Sequence, residues 1–182
     1  MTSIVSLSGG FGFPSTTTAL TDLVTAAAEQ RIGADATRIE LRDLASDLPD
    51  ATLLGLPSER LDAALRAVEQ ADLIITATPV FRGSYAGLFK AFWDLVDPVA
   101  MRGTTVILGA TGGSGRHQLV IDQALRPLFA YFGALIVPTA IYAAAEDWAA
   151  AGMPTHELES RAHRAVAQAQ ALLRARATAD TP

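Results

Sequence analysis

Short apolar runs alternate five times with longer segments of helical periodicity, and this alternation restricts the fold more than any single residue does. The runs are SIVSLS (residues 3–8), ATRIEL (36–41), DLIITAT (72–78), TTVILGAT (104–111) and ALIVP (134–138). DLIITAT is almost continuously apolar, as a parallel strand covered on both faces is. Between the runs, apolar residues recur at helical spacing: Leu20, Leu23, Val24, Ala27 and Ala28, then Leu61, Leu65 and Val68, then Tyr85, Leu88, Phe89, Phe92, Trp93 and Val96. HQLVIDQALRPLFAYF (117–132) reads as a helix interrupted or restarted near Pro127. A last helix, from about Thr155, has Glu157 and Glu159 early and Arg174 and Arg176 late, which suits the helix dipole, and ATADTP follows as a tail. A long connection with Pro49 and Pro57 separates the second run from its next helix. No repeat or linker divides the chain. Residues 1–182 are therefore read as one α/β domain: a doubly wound, five-stranded parallel sheet with helices on both faces.

Composition narrows the function. Half the residues are hydrophobic, which excludes a disordered chain. Fourteen basic against nineteen acidic residues leave a net charge of −5, which argues against a nucleic-acid partner. With no cysteine there is no disulfide, thiolate metal site or thiol nucleophile. His117, His156 and His163 are scattered and form no metal-binding spacing. No apolar run reaches membrane-spanning length, and the first, Ile4 to Leu7, lacks the basic flank and the length of a signal segment. A cytoplasmic protein is expected.

In parallel sheets, ligands bind beyond the carboxyl ends of the strands. Three runs end in unusual loops that such a sheet opens at one edge: residues 8–17, 78–84 and 111–116. In SLSGGFGFPSTTT, Gly10 and Gly12 begin a G-x-G-x-x-G match that fails at Ser15, and no G-K-[ST] follows. Ser15, Thr16, Thr17 and Thr18 instead crowd a helix start. One of them is needed as an N-cap, and the surplus of hydroxyls favours a lysine-free phosphate cup. In TPVFRGSYAG, Pro79 is expected to stop the strand, with Phe81 and Arg82 beside it; the segment reads equally as a plain turn or as the edge of a flat ligand's site. In GATGGSGRH, four glycines permit consecutive amides to form a nest for carbonyl oxygens or an anion; a G-x-S-x-G elbow fails at Arg116.

These segments resemble the NAD(P)H-dependent FMN reductases of the flavodoxin-like superfamily, most closely the branch that supplies reduced flavin to two-component monooxygenases of the alkanesulfonate type. ATPVFRGSYAGLFKAFWDLVD resembles that family's P-[VY]-Y-x-x-S-x-x-G-x-L-K-x-x-x-D motif at Pro79, Ser84, Gly87, Lys90 and Asp94. ATGGSGRHQLVIDQALRPLFAYFGA is similar to its T-G-G segment and following D-x-A-L-[KR]-P helix. The first loop departs from the usual Gly-Ser with Gly9-Gly10, Phe81 stands in place of a common tyrosine, and Gln123 in place of a bulky aromatic.

The resemblance implies a sheet of strand order 2-1-3-4-5 and hydride transfer from NAD(P)H to FMN, with no catalytic acid or base. It implies that Ser8, Ser15, Thr16 and Thr17 hold the FMN phosphate, that Pro79, Val80, Phe81 and Arg82 line the flavin ring, and that Thr111, Gly112, Gly113 and Ser114 meet its polar edge. Lys90 and Asp94 are implied at a subunit contact of a homodimer or homotetramer, and a flavin-dependent monooxygenase is the implied transient partner. Two other readings share the fold: an FMN-binding electron carrier, and a quinone or azo reductase with tightly held FMN.

Overall fold

A computed structural model describes residues 2–149 and 152–179. In chain order the elements are β1 (Ile4–Ser8), α1 (Thr16–Ile32), β2 (Ala36–Glu40), α2 (Leu48–Leu54), α3 (Glu59–Glu69), β3 (Leu73–Phe81), β4 (Ser84–Tyr85), α4 (Gly87–Trp93), β5 (Thr105–Thr111), a π-helical turn (Ile121–Leu125) running into α5 (Arg126–Tyr131), β6 (Leu135–Ile136), β7 (Ile141–Ala143) and α6 (His156–Ala179). The sheet runs β2-β1-β3-β5-β6, with β7 also parallel to β5 and β4 antiparallel to β3.

Alternation along the strands builds two cores. Ile4, Leu73, Ile75 and Ile107 face α1 and α6, while Val5, Leu7, Ile74, Val106 and Leu108 face α3, α4 and α5. On the first side, Ala27 and Ala28 of α1 and Ala162, Ala165 and Ala169 of α6 are small enough for close helix approach. Thr21 and Thr25 are buried in α1 because their hydroxyls bond back to carbonyls of the preceding turn, and Thr25 Oγ1 lies 2.8 Å from Ser6 Oγ, within hydrogen-bond reach. On the second side, Trp93 meets Phe129 edge-on at 4.6 Å between ring centroids.

Seven strands replace the expected five, and each departure has a local cause. β3 does not stop at Pro79. The ladder to β1 has already ended at the Ser8–Ala77 pair, so the missing proline N–H costs no hydrogen bond on that side. The chain then turns back over Arg82 and Gly83, whose φ angles of +53° and +85° suit a two-residue hairpin, and β4 forms. Tyr85 thus lies in a strand, and α4 is shorter than the aromatic periodicity predicts. Of the expected strand at 134–138 only Leu135–Ile136 forms β6, the ladder breaks at Pro138 and a further strand, β7, follows; guanidinium groups take up carbonyls on either side of the break: Arg126 Nη2 donates to Pro138 O at 2.8 Å and Arg161 Nη1 to Tyr142 O at 2.7 Å. Pro127 also explains the divided helix. Without its N–H the i→i−4 ladder fails, and the Arg126 amide reaches back to the Ile121 carbonyl, five residues away. The long connection contains α2, with Pro49 in its first turn. Residues 177–179 of the expected tail are helical; 180–182 lie outside the described residues.

Arg38 of β2 pairs with two carboxylates of α1, Glu29 closely and Asp22 at 3.9 Å. Arg38 donates from Nη1 and Nη2 to the two Glu29 carboxylate oxygens at 2.9 and 2.8 Å, and the Ala36 amide donates to Oε1 at 3.0 Å. The Arg38 hydrogen bonds, then the Ala36 amide, hold the Glu29 pKa below its ordinary value. A carboxylate with a depressed folded pKa stabilises the fold above the unfolded pKa, and that contribution is lost as pH falls from about 4.3 through the folded value. In thermal melts from pH 6 to 3, Glu29→Gln is therefore expected to show a shallower fall in midpoint than the parent below about pH 4.3.

Candidate functional site

The ends of β1, β3 and β5 bring the three loops together. In the first, the Gly9 amide donates to Ala77 O at 2.8 Å and prolongs the sheet by one residue. The Gly10 amide donates to Ser8 Oγ at 3.2 Å, and Ser8 Oγ lies 2.9 Å from Thr18 Oγ1. A Cβ on Gly10 would fall 2.2 Å from Ser15 Oγ, so a side chain there displaces the Ser15 hydroxyl. Ser15 is the N-cap of α1 and accepts from the Thr18 amide at 3.2 Å. Thr17 Oγ1 is buried and lies 2.6 Å from Thr111 Oγ1, which joins the first loop to the third.

The hydroxyl cluster thus divides its work. Ser15 caps, Ser8 and Thr18 pair, and Thr17 pairs across the sheet. Thr16 is exposed, and the first-turn amides of α1 have no helical acceptor. No acidic residue stands in that turn to neutralise the positive helix end. Such a donor set suits a phosphate.

The outer part of the first loop is pinned by Arg42, whose Nη1 donates to Gly12 O at 2.9 Å and whose guanidinium lies 5.5 Å from the Phe13 ring centroid. Phe11 stacks on Phe81 of the second loop at 5.7 Å and 17°. With Phe13 91% and Phe81 52% exposed, the rim is apolar and open. At the base of the hairpin, Thr78 Oγ1 accepts from the Ala86 amide and donates to Pro79 O, both at 3.0 Å. Val80 pairs with Tyr85 and Phe81 with Ser84, which leaves Arg82 exposed at the tip.

In the third loop, Thr111 is buried and the Gly112 amide is taken by Ala143 O at 3.1 Å. The amides of Gly113 and Ser114 have no acceptor among the described residues. Tyr142 of β7 donates its hydroxyl to Ser114 O at 2.8 Å. Burial first, then the charges of Glu146 and Asp147, push the Tyr142 pKa up, so it remains a donor at neutral pH.

All twelve residues expected at the site lie on these three loops or at their bases. Thr18, expected in the hydroxyl cluster, pairs with Ser8. Three contributors were missed, Phe11, Arg42 and Tyr142, and all three act through long-range contacts with no local signature. Among the described residues no group of three or more metal-ligating side chains exists, and no helix is long and apolar enough to cross a membrane.

A parallel sheet wound on both faces with its strands in the order β2-β1-β3-β5-β6 is the flavodoxin-like arrangement. The sequence profile described as "NADPH-dependent FMN reductase" matches residues 2–149, and the chain belongs to that family of flavin oxidoreductases. It is 44% identical over 170 residues to the NADH-dependent FMN reductase SfnF of Pseudomonas fluorescens, spanning 93% of this chain and 90% of that protein. It is 40% identical over 169 residues to an FMN reductase (NADPH) of Pseudomonas aeruginosa, spanning 93% and 91%. Among solved structures, an oxidoreductase from Corynebacterium diphtheriae superposes with a TM-score of 0.83 at 36% identity, covering 96% of this chain and 98% of that one. The apo form of the NADH:FMN oxidoreductase EMOB superposes at 0.80 with 30% identity, covering 94% and 89%.

Proposed function

We propose that this chain reduces FMN with hydride from a reduced nicotinamide and delivers the reduced flavin to a flavin-dependent monooxygenase. The observation that carries the reading is the Thr17–Thr111 hydroxyl pair, which fixes a phosphate-accepting helix start beside a loop with unpartnered amides. The residues fit FMN: a side chain at Gly10 would displace the Ser15 hydroxyl, and the donors around it suit a phosphate. FMN, when bound, supplies the hydride-accepting chemistry.

The chain's own residues bind and orient. Thr16 and the amides of Thr16 and Thr17, with Ser8 and Ser15 shaping the loop, hold the phosphate. Pro79, Val80 and Phe81 present an apolar wall to the ring. Gly113 and Ser114 offer donors to its polar edge, where electron density accumulates on reduction; Thr111 and Gly112 fix their position. Arg82 meets the phosphates of the nicotinamide substrate. Its guanidinium has no acidic partner among the described residues, and it stands at positive φ, where the backbone prefers glycine or asparagine. Arg82→Gly is expected to keep or raise the thermal midpoint and to lower kcat/KM for the nicotinamide substrate roughly tenfold, the effect of losing one charge-assisted hydrogen bond. Stopped-flow reduction at varied NADH and NADPH checks it.

The assembly proposed is a homodimer or homotetramer, supported by exposed Leu119 and Tyr131 on the segments beside α4. The monooxygenase partner is supported by the resemblance of the second and third loops to that branch. One observation bears on the alternative electron carrier: Phe11, stacked on Phe81, puts a second aromatic ring at the rim of the site. The visible spectrum of the purified protein, followed by NADH and NADPH oxidation with and without added FMN, separates the two. A colourless protein whose rate rises with added FMN supports flavin release. A yellow protein indifferent to added FMN supports the carrier or the quinone reductase.

A further inference from the structure

We infer that Tyr142 is a positioning residue of the flavin site, acting through the third loop from behind the sheet's broken fifth position. The inference rests on the reading that this loop meets the flavin's polar edge. Tyr142 is buried, with its hydroxyl 2.8 Å from the Ser114 carbonyl oxygen. Carbonyl and amide of one trans peptide point in opposite directions. Holding Ser114 O toward β7 therefore turns the Gly115 N–H away from β7, while the Ala143 carbonyl draws the Gly112 N–H inward at 3.1 Å. Between these two anchors lie the unpartnered amides of Gly113 and Ser114. The loop has glycine at three of its four positions from 112 to 115, so its backbone has little preference of its own, and an external hydrogen bond must choose the conformation.

The tyrosine is itself fixed. Arg161 Nη1 donates to its carbonyl at 2.7 Å, the same guanidinium pairs with Asp147, and Asp147 Oδ2 accepts from the Ala144 amide at 2.8 Å. A second contact makes the arrangement testable. A Cβ on Gly112 would lie 2.1 Å from the Tyr142 hydroxyl oxygen and 3.2 Å from Cζ, so the hydroxyl makes the hard collision and the ring carbon only a tight contact.

Four proteins answer the question: the parent, Tyr142→Phe, Gly112→Ala and the double variant. Each is titrated with FMN by flavin-fluorescence quenching without nicotinamide, and melted without flavin. Tyr142→Phe is expected to weaken FMN binding about threefold to tenfold, the range of one net hydrogen bond, and to lower kcat at saturating FMN by a smaller factor. Gly112→Ala is expected to lower the flavin-free midpoint clearly in the parent and much less in the Tyr142→Phe background, because the colliding oxygen is gone. FMN binding unchanged in Tyr142→Phe, while the parent binds FMN, overturns the positioning role and leaves the flavin site standing. An equal Gly112→Ala cost in both backgrounds overturns the contact. A parent that binds no FMN removes both the site and the inference.

Discussion

Gly10→Ala is expected to lower FMN affinity by at least tenfold and to reduce FMN-dependent nicotinamide oxidation in proportion at subsaturating flavin. The added methyl would sit 2.2 Å from Ser15 Oγ and 3.3 Å from Ser8 Oγ. No rotation of the methyl relieves that contact, so the Ser15 side chain must turn away. Two features fail together: the N-cap of α1, worth about 1 kcal/mol, and the shape of the proposed phosphate cup. The cap loss alone shifts the midpoint by about 2–4 °C in a chain of this size. Calorimetry with and without FMN distinguishes the contributions. The flavin-free midpoint should fall by that small amount, and the stabilisation by added FMN should largely vanish. Retained FMN affinity would show that the first loop does not hold the phosphate.

The second large effect concerns Thr17 and Thr111. Their hydroxyls are buried and bonded to each other across 94 residues of sequence. Thr17→Val leaves Thr111 Oγ1 without that partner, and Thr111→Val does the same to Thr17. Each single variant is expected to lose about 2 kcal/mol, because a buried hydroxyl is then unsatisfied, whereas the double valine variant, equal in shape and free of the orphan, should regain most of the loss. Urea unfolding of the four proteins gives the coupling energy directly, and additive single effects would refute the bond. FMN affinity should follow a different pattern, weaker in all three variants, because only the parent holds the first and third loops together by a hydrogen bond.

The sequence shows some of this clearly. β3 and β5 are buried on both faces, so DLIITAT and the 104–111 run carry nearly uninterrupted apolar character, and the α/β alternation follows. The hydroxyls at 15–18 are legible because they are adjacent and exceed what a cap requires. The split of the fifth strand is less legible, since ALIVP satisfies a strand pattern and only Pro138 marks where the ladder breaks. The π-helical turn is hidden for a similar reason: Pro127 announces an interruption but not how the backbone absorbs it. Phe11 on Phe81, Arg42 on Gly12 and Phe13, and Tyr142 on Ser114 are set by where the strands come to lie, and a local pattern contains no trace of them. Pro79 misleads in the opposite sense, because a proline ends a strand only where its amide would have been needed.

The break between β6 and β7 also bears on how the protein behaves in a crowded solution. An edge strand exposes a row of donors and acceptors on which a foreign strand can grow. Here the outermost rank offers segments of only two and three residues, separated by Pro138, with carbonyls on either side of the interruption already taken by Arg126 and Arg161. That border of the sheet is too short and too occupied to template a growing fibril.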